Sequence, residues 1–233
     1  MSQISTIAFD ADDTLWHNEN LFEEHHSKYC ELLSEFHDAK TVEKTLFSTE
    51  MRNLELYGYG VKSFMLSSIE TAIELTKGSI SAEELKRIIH FGQEMLRHPV
   101  ELLEGVKETV ATLASQYQLI LITKGDLRDQ ERKIAMSGLA HHFEHAEVVS
   151  DKNVETYDRV FHRLGIDPQK LLMVGNSLKS DILPVLDLGG YAAYIPYHLT
   201  WEHERVENAP DNHSRFHELP SIKQLPGLLD SLK

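Results

Sequence analysis

Four apolar runs in this sequence end on residues able to handle an anion or a metal ion. Ile4 to Phe9 runs into Asp10-Ala11-Asp12-Asp13-Thr14. Gln118 to Thr123 leads to Lys124-Gly125, and Glu147 to Ser150 leads to Asp151-Lys152. Leu171 to Val174 leads to Gly175-Asn176-Ser177, with Asp181 five residues beyond Asn176. A carboxylate can attack phosphorus and form an acyl-phosphate, which splits one difficult displacement into two easier ones. Asp10 and Asp12, on alternate residues leaving a strand, can both turn into one site if the chain curls there. One can then attack while the other protonates the leaving oxygen and later activates water. Magnesium held by carboxylates offsets the repulsion between an anionic nucleophile and an anionic substrate. A hydroxyl and a lysine can take the other phosphoryl oxygens.

That chemistry requires the four run ends to meet, so the elements between them matter. Residues 17 to 98 read as helices only. Leu21 to Phe36 has helical spacing, Val42 to Tyr57 stops at Gly58, and Val61 to Gly78 places Val61, Phe64, Met65, Ile69, Ala72 and Ile73 on one face. A fourth helix opens at Ser81-Ala82-Glu83-Glu84, a capping-box pattern, and stops before Pro99. Beyond Pro99 helices and short strands alternate: helices at Gly105 to Ser115, Asp126 to Ser137, Val154 to Leu164 and Ser177 to Leu188, with Tyr191 to Ile195 as a fifth strand. The tail, with Pro210, Pro220 and Pro226, reads as irregular with a short helix near its end. Alternating short apolar strands and helices predict an α/β fold, a doubly wound, Rossmann-like parallel sheet. In such a sheet ligands bind outside the carboxyl ends of the strands. The expected division is a core of residues 1–16 and 99–233, with the helical block 17–98 inserted after the first strand.

Composition narrows the partners. The 233 residues carry 23 Lys plus Arg against 37 Asp plus Glu, a formal net charge of −14. So acidic a chain is a poor binder of nucleic acid or of anionic membranes. No apolar run approaches the ~20 residues of a membrane helix, and the first residues carry no basic leader. The single cysteine, Cys30, cannot form an intrachain disulfide, which fits a reducing compartment and a cytoplasmic protein. An anionic substrate in so acidic a chain needs one local cationic spot, expected from magnesium, Lys124 and Lys152.

Taken together and in order, these segments resemble the four motifs of the haloacid dehalogenase-like hydrolase superfamily. Phe9-Asp10-Ala11-Asp12-Asp13-Thr14-Leu15 resembles motif I, Leu121-Ile122-Thr123-Lys124-Gly125 motif II, Lys152 the lysine of motif III, and Val174-Gly175-Asn176-Ser177 through Asp181 motif IV. The helical block is similar to the family's C1-type cap, which closes over the substrate. The resemblance implies a magnesium-dependent phosphatase acting on a small phosphorylated metabolite. It makes Asp10 the nucleophile and a metal ligand, and Asp12 the general acid/base and a ligand through its backbone carbonyl. It gives Thr123 and Lys152 to the phosphoryl group and nucleophile, puts Lys124 and Gly125 beside the phosphate, and makes Asp181, with Asn176, part of the magnesium shell. Two departures stand out: Asp13 where many members have glycine, and Asn176 where a carboxylate is common. Both are compatible with activity.

Other readings stay open. A phosphomutase or phosphotransferase of the same fold would use the same aspartates. A dehalogenase is disfavoured by Asp12, since the family's dehalogenases lack the second motif I aspartate. From a different class come a phospho-accepting signalling domain and a non-catalytic binding scaffold. Among the 14 histidines, His141, His142 and His145 lie close in sequence but read as a solvated turn, and His25-His26 and His198 to His203 read likewise. Cys30 reads as a small residue in the apolar face of its helix. Arg52 to Phe64, with Tyr57-Gly58-Tyr59-Gly60, reads as an interhelix turn or a specificity loop. Trp16 and His17 line a cleft or form a hinge.

Overall fold

A computed structural model of the chain describes residues 4–206 and 208–233. It divides into two compact units, one comprising Met1–Glu19 with Val100–Lys233 and the other Asn20–Pro99.

The first unit is a parallel sheet with helices on both faces. Its strands are β1 (Thr6–Phe9), β2 (Gln118–Lys124), β3 (His145–Val149), β4 (Leu171–Gly175), β5 (Tyr191–Tyr194) and β6 (Phe216–Glu218), in the order β3-β2-β1-β4-β5-β6. β1 lies in the middle, with Phe9 level with Leu121 on one side and Val174 on the other. Between β1 and β4 the chain order changes direction, the position at which such sheets open a crevice at their carboxyl edge. The central strands β1, β2 and β4 are mostly apolar and buried because both their faces are covered. Ile7, Phe9, Leu121 and Val174 pack with Val106, Val110 and Leu113 of α5 (Val106–Ala114). Ala8, Ile120, Ile122 and Met173 pack with Tyr157, Val160 and Phe161 of α7 (Val154–Leu164).

Two elements differ from expectation. β6 forms in the tail read as irregular, where Phe216–Glu218 pairs with β5; three residues are too few to show a period. The helix expected from Ser177 to Leu188 is instead a π-helical turn, Leu178–Ile182, followed by the short α8 (Leu183–Asp187). Pro184 has no N–H to donate, so a regular α-helix cannot run through it unbroken. The wide turn before it carries Asp181.

The second unit is helical: α1 (Glu19–Leu32), α2 (Ala39–Tyr57), α3 (Val61–Leu75) and α4 (Ala82–Arg97). Tyr29 and Leu33 meet Val42 and Leu46 of α2, Ala72 of α3 and Ile88 of α4 in its core. The Tyr29 hydroxyl donates to Ser68 O at 2.8 Å. The apolar stripe read from spacing covers only part of the buried face of α3: Val61 and Ala72 are buried and Phe64 and Ile69 pack against the core, but small polar residues share that face. Ser63, Ser67, Ser68 and Thr71 are buried beside them, while Ile73 is exposed. Small residues let α2 approach, and Asn53 of α2 reaches Ser67 Oγ at 3.2 Å. The histidines read as solvated fare differently: His25 is buried and His26 half-buried.

Ser81 and Glu84 close the expected capping box, Glu84 N donating to Ser81 Oγ at 3.2 Å and Ser81 N to Glu84 Oε2 at 2.7 Å. Ser81→Ala should therefore cost about 1 kcal/mol, read as a lower urea midpoint with an unchanged slope. An unshifted midpoint would show that the cap contributes nothing there.

Candidate active site

The carboxyl ends of β1 and β4 are neighbours, and the main chain ties them: Asp10 N donates to Val174 O at 2.9 Å. Asp10 is buried, its Oδ2 accepting from Thr14 Oγ1 at 2.8 Å. Its Oδ1 takes an ion pair from the Lys152 ammonium. The same ammonium lies 2.7 Å from Asp181 Oδ1, and both side chains are only 1% exposed. Asp181 Oδ2 in turn accepts from Ser177 N at 3.0 Å. Gly175 leaves room for this arrangement, since a Cβ there would run into the Asp181 carboxylate. Burial pushes the Asp10 carboxyl up to about 6, Asp181 adding to the rise and Lys152 opposing it. Burial alone would lower the Lys152 ammonium, but Asp10 and Asp181 hold it well above its ordinary value.

Asp12 is held by a different set of groups. Its carboxylate accepts from Lys133 Nζ at 2.6 and 2.7 Å, from Gln130 Nε2 at 2.8 Å and from Trp16 Nε1 at 2.7 Å. Burial would raise this carboxyl, yet Lys133, with Gln130 and Trp16, outweighs it and keeps the group below its ordinary value. Gln130 and Lys133 lie on one face of α6 (Leu127–Met136), which starts directly after β2. Gln130 also donates to Lys124 O at 2.9 Å. Gly125 makes way for it: φ there is 139°, and a Cβ would fall 2.9 Å from Gln130 Nε2. Trp16 is fully buried.

Asp13 sits at φ 62°, a left-handed conformation that glycine adopts freely and aspartate tolerates. It serves there as a cap. Its carboxylate accepts from Asn18 N at 2.8 Å and Glu19 N at 3.1 Å, where α1 begins. Burial pushes this carboxyl up to about 8 despite those donors.

Thr123 is buried at the end of β2. Lys124 turns to Glu204 Oε1 at 2.5 Å and Ser180 Oγ at 2.8 Å. Glu204 also accepts from Ser177 Oγ at 2.5 Å and Ser180 Oγ at 2.6 Å through Oε2. The structure thus brings Asp10, Lys152 and Asp181 into direct contact, and gives Lys124 and Asp12 separate partners.

The donor set fits a divalent cation. The Asn176 amide oxygen lies 3.2 Å from three oxygens, Thr14 Oγ1, Asp12 O and Asp10 Oδ2, and the Thr14 hydroxyl proton is already given to Asp10. Oxygen facing oxygen is reconciled by turning the amide over, so that its two N–H groups are shared among these oxygens, or by a cation among hard oxygen donors.

Gln130, Lys133 and Glu204 escaped the sequence reading. The first two had a signal: a helix flanking a sheet should show an apolar face, and α6 instead buries Asp129, Gln130 and Lys133. Glu204 lies in an irregular segment and had none. Among the described residues, His141, His142 and His145 do not converge as metal ligands.

Burial would raise Glu204, but Lys124 and the two serine hydroxyls pull its carboxyl down to about 2. A depressed carboxyl stabilises the fold above its ordinary value, near 4.5, and that contribution is lost as pH falls toward 2. Glu204→Gln should cost about 1–3 kcal/mol at neutral pH and flatten the acid limb of stability between those values. Parallel native and variant curves across that range in urea titrations would refute this.

Comparison with known proteins places this geometry. A family model described as haloacid dehalogenase-like hydrolase matches residues 4–189. The human N-acylneuraminate-9-phosphatase is 25% identical over all of this chain and 96% of its own length. A haloacid dehalogenase-like family hydrolase from Xanthomonas campestris is 40% identical, with a TM-score of 0.89 over 99% of this chain and 92% of that one. A putative hydrolase, YfnB from Bacillus subtilis, solved bound to magnesium, shares the fold at 18% identity, with a TM-score of 0.63 over 97% and 99% of the two chains. The chain belongs to the haloacid dehalogenase-like hydrolase family.

Proposed function

We propose that this enzyme is a magnesium-dependent phosphatase that hydrolyses a small phosphorylated metabolite through an aspartyl-phosphate on Asp10. The observation that carries the reading is the buried Lys152 ammonium set between Asp10 and Asp181. Asp10 attacks phosphorus, and the ester oxygen leaves with a proton from Asp12, which takes that proton up from solvent as the substrate's negative charge beside it opposes the lowering by Lys133. Asp12 then takes a proton from water as that water attacks the acyl-phosphate, releasing inorganic phosphate and restoring Asp10. Lys152 keeps Asp10 ionised and neutralises charge as phosphorus approaches. Thr123, Lys124 and Gly125 are assigned to the phosphoryl oxygens. Magnesium would be held by Asp10, Asp181, Asn176 and the Asp12 carbonyl, and supplies charge that draws a phosphate dianion to an anionic nucleophile.

Two further residues enter here. Lys133 and Gln130 are positioning residues that orient the Asp12 carboxylate. The helical unit takes the role of the family's cap, on its all-helical make-up and its place in the chain between motifs I and II. A small, sugar-like or sugar-acid phosphate is the first substrate to try, since a full-length relative is named for N-acylneuraminate 9-phosphate.

Phosphate release from a panel of phosphorylated metabolites and a chromogenic ester should require magnesium and stop with EDTA; turnover without any divalent ion would sink the mechanism. Asp10→Asn should lose at least ~10³-fold in kcat, and Asp12→Ala ~10²–10⁴-fold. Lys133→Met should lower kcat ~10-fold with KM nearly unchanged, and Lys133→Arg should recover part of it. A native kcat in Lys133→Met would remove its positioning role.

A further inference from the structure

The helical unit holds a cluster of metal-ligating side chains that the phosphatase chemistry does not use. His26 and Cys30 lie four residues apart on α1, so their side chains stack one turn apart on the same face. Glu43, in the second turn of α2, lies against them. The Cys30 sulfur, an imidazole nitrogen of His26 and a carboxylate oxygen of Glu43 lie within 4.8 Å of one another. A second observation points the same way: His26 Nε2 is buried with no hydrogen-bond partner among the described residues. An unsatisfied buried nitrogen is costly and asks for an occupant.

We propose that His26, Cys30 and Glu43 form a second metal site, for a zinc-class transition ion rather than magnesium. Magnesium takes oxygen ligands in an octahedron, whereas imidazole, thiolate and carboxylate together suit zinc or cobalt. Both protein groups that must lose or lack a proton are neutral beforehand. Burial lowers the His26 pKa, leaving the imidazole a ready donor, and pushes the Cys30 thiol up to about 11, with Glu43 adding to that rise. Binding therefore exchanges the thiol proton for the ion, and that proton leaves to solvent. Three protein ligands, one of them the exposed Glu43, leave the fourth position to water, so the ion exchanges. Because α1 and α2 both contribute, an occupied site pins the first two helices of this unit together.

The chain has one cysteine, which makes the test specific. Cobalt(II) is titrated into the full-length, reduced protein in excess magnesium, so that the Asp10 and Asp181 site is filled. The expected result is an intense near-ultraviolet thiolate-to-cobalt band that saturates at one equivalent and is abolished by zinc. His26→Ala and Glu43→Gln should each weaken cobalt binding at least ~10-fold, while Asp10→Asn leaves the band intact. Circular dichroism confirms that each variant is folded. Absence of the band in the native protein, or an undiminished band in folded His26→Ala, overturns the proposal. Zinc should also raise the melting temperature of the native protein and not of Cys30→Ser; equal shifts in both would overturn the pinning of α1 to α2.

Discussion

One ammonium group organises the site. Lys152 lies between Asp10 and Asp181, buried with both, and its charge offsets the cost of burying two carboxylates side by side. The requirement reaches back through the fold. β1 and β4 must be adjacent, so that Asp10 and the Asp181 turn leave the sheet together. Gly175 must lack a Cβ, and the chain after it must widen into a π turn before Pro184 lets α8 begin. α7 packs its aromatic face against the sheet just beyond Lys152 and fixes where that lysine starts.

The charge balance follows the same logic. The local cationic spot expected from Lys124 and Lys152 is already matched, Lys152 by two aspartates and Lys124 by Glu204. Lys133 is matched by Asp12. Named carboxylates at this edge outnumber named ammonium groups, so on the proposed reading the positive charge for a phosphate dianion would come from a divalent ion, and the cluster of oxygens around Asn176 is suited to one. The acidity of the whole chain thus persists locally, and the lysines serve mainly to keep buried carboxylates ionised.

Much of this was legible in the residues. The central strands β1, β2 and β4 carry apolar runs because both their faces are covered, and each run stops where the polar edge begins. That pattern by itself puts Asp10, Lys152 and Asp181 at one edge of the sheet. Helix ends were equally plain where a side chain marks them, as Ser81 and Glu84 do for α4. Where burial is not apolar, pattern reading fell short: serines and a threonine share the inner face of α3 with its apolar residues, and that of α6 holds glutamine and lysine. Hydrophobic spacing cannot report a buried face built from small or paired polar groups.

The sequence by itself determined which residues leave each strand, and so the chemical inventory of the site, because that depends on local period and composition alone. Only the tertiary structure decided how the inventory is partnered. Whether Asp12 meets Lys133 rather than Asp10, whether Lys124 turns to Glu204, and whether Cys30 meets His26 and Glu43 all depend on contacts between distant segments. Such pairings are set by distance and by the cost of burying unpaired charge, and neither quantity is written in residue order.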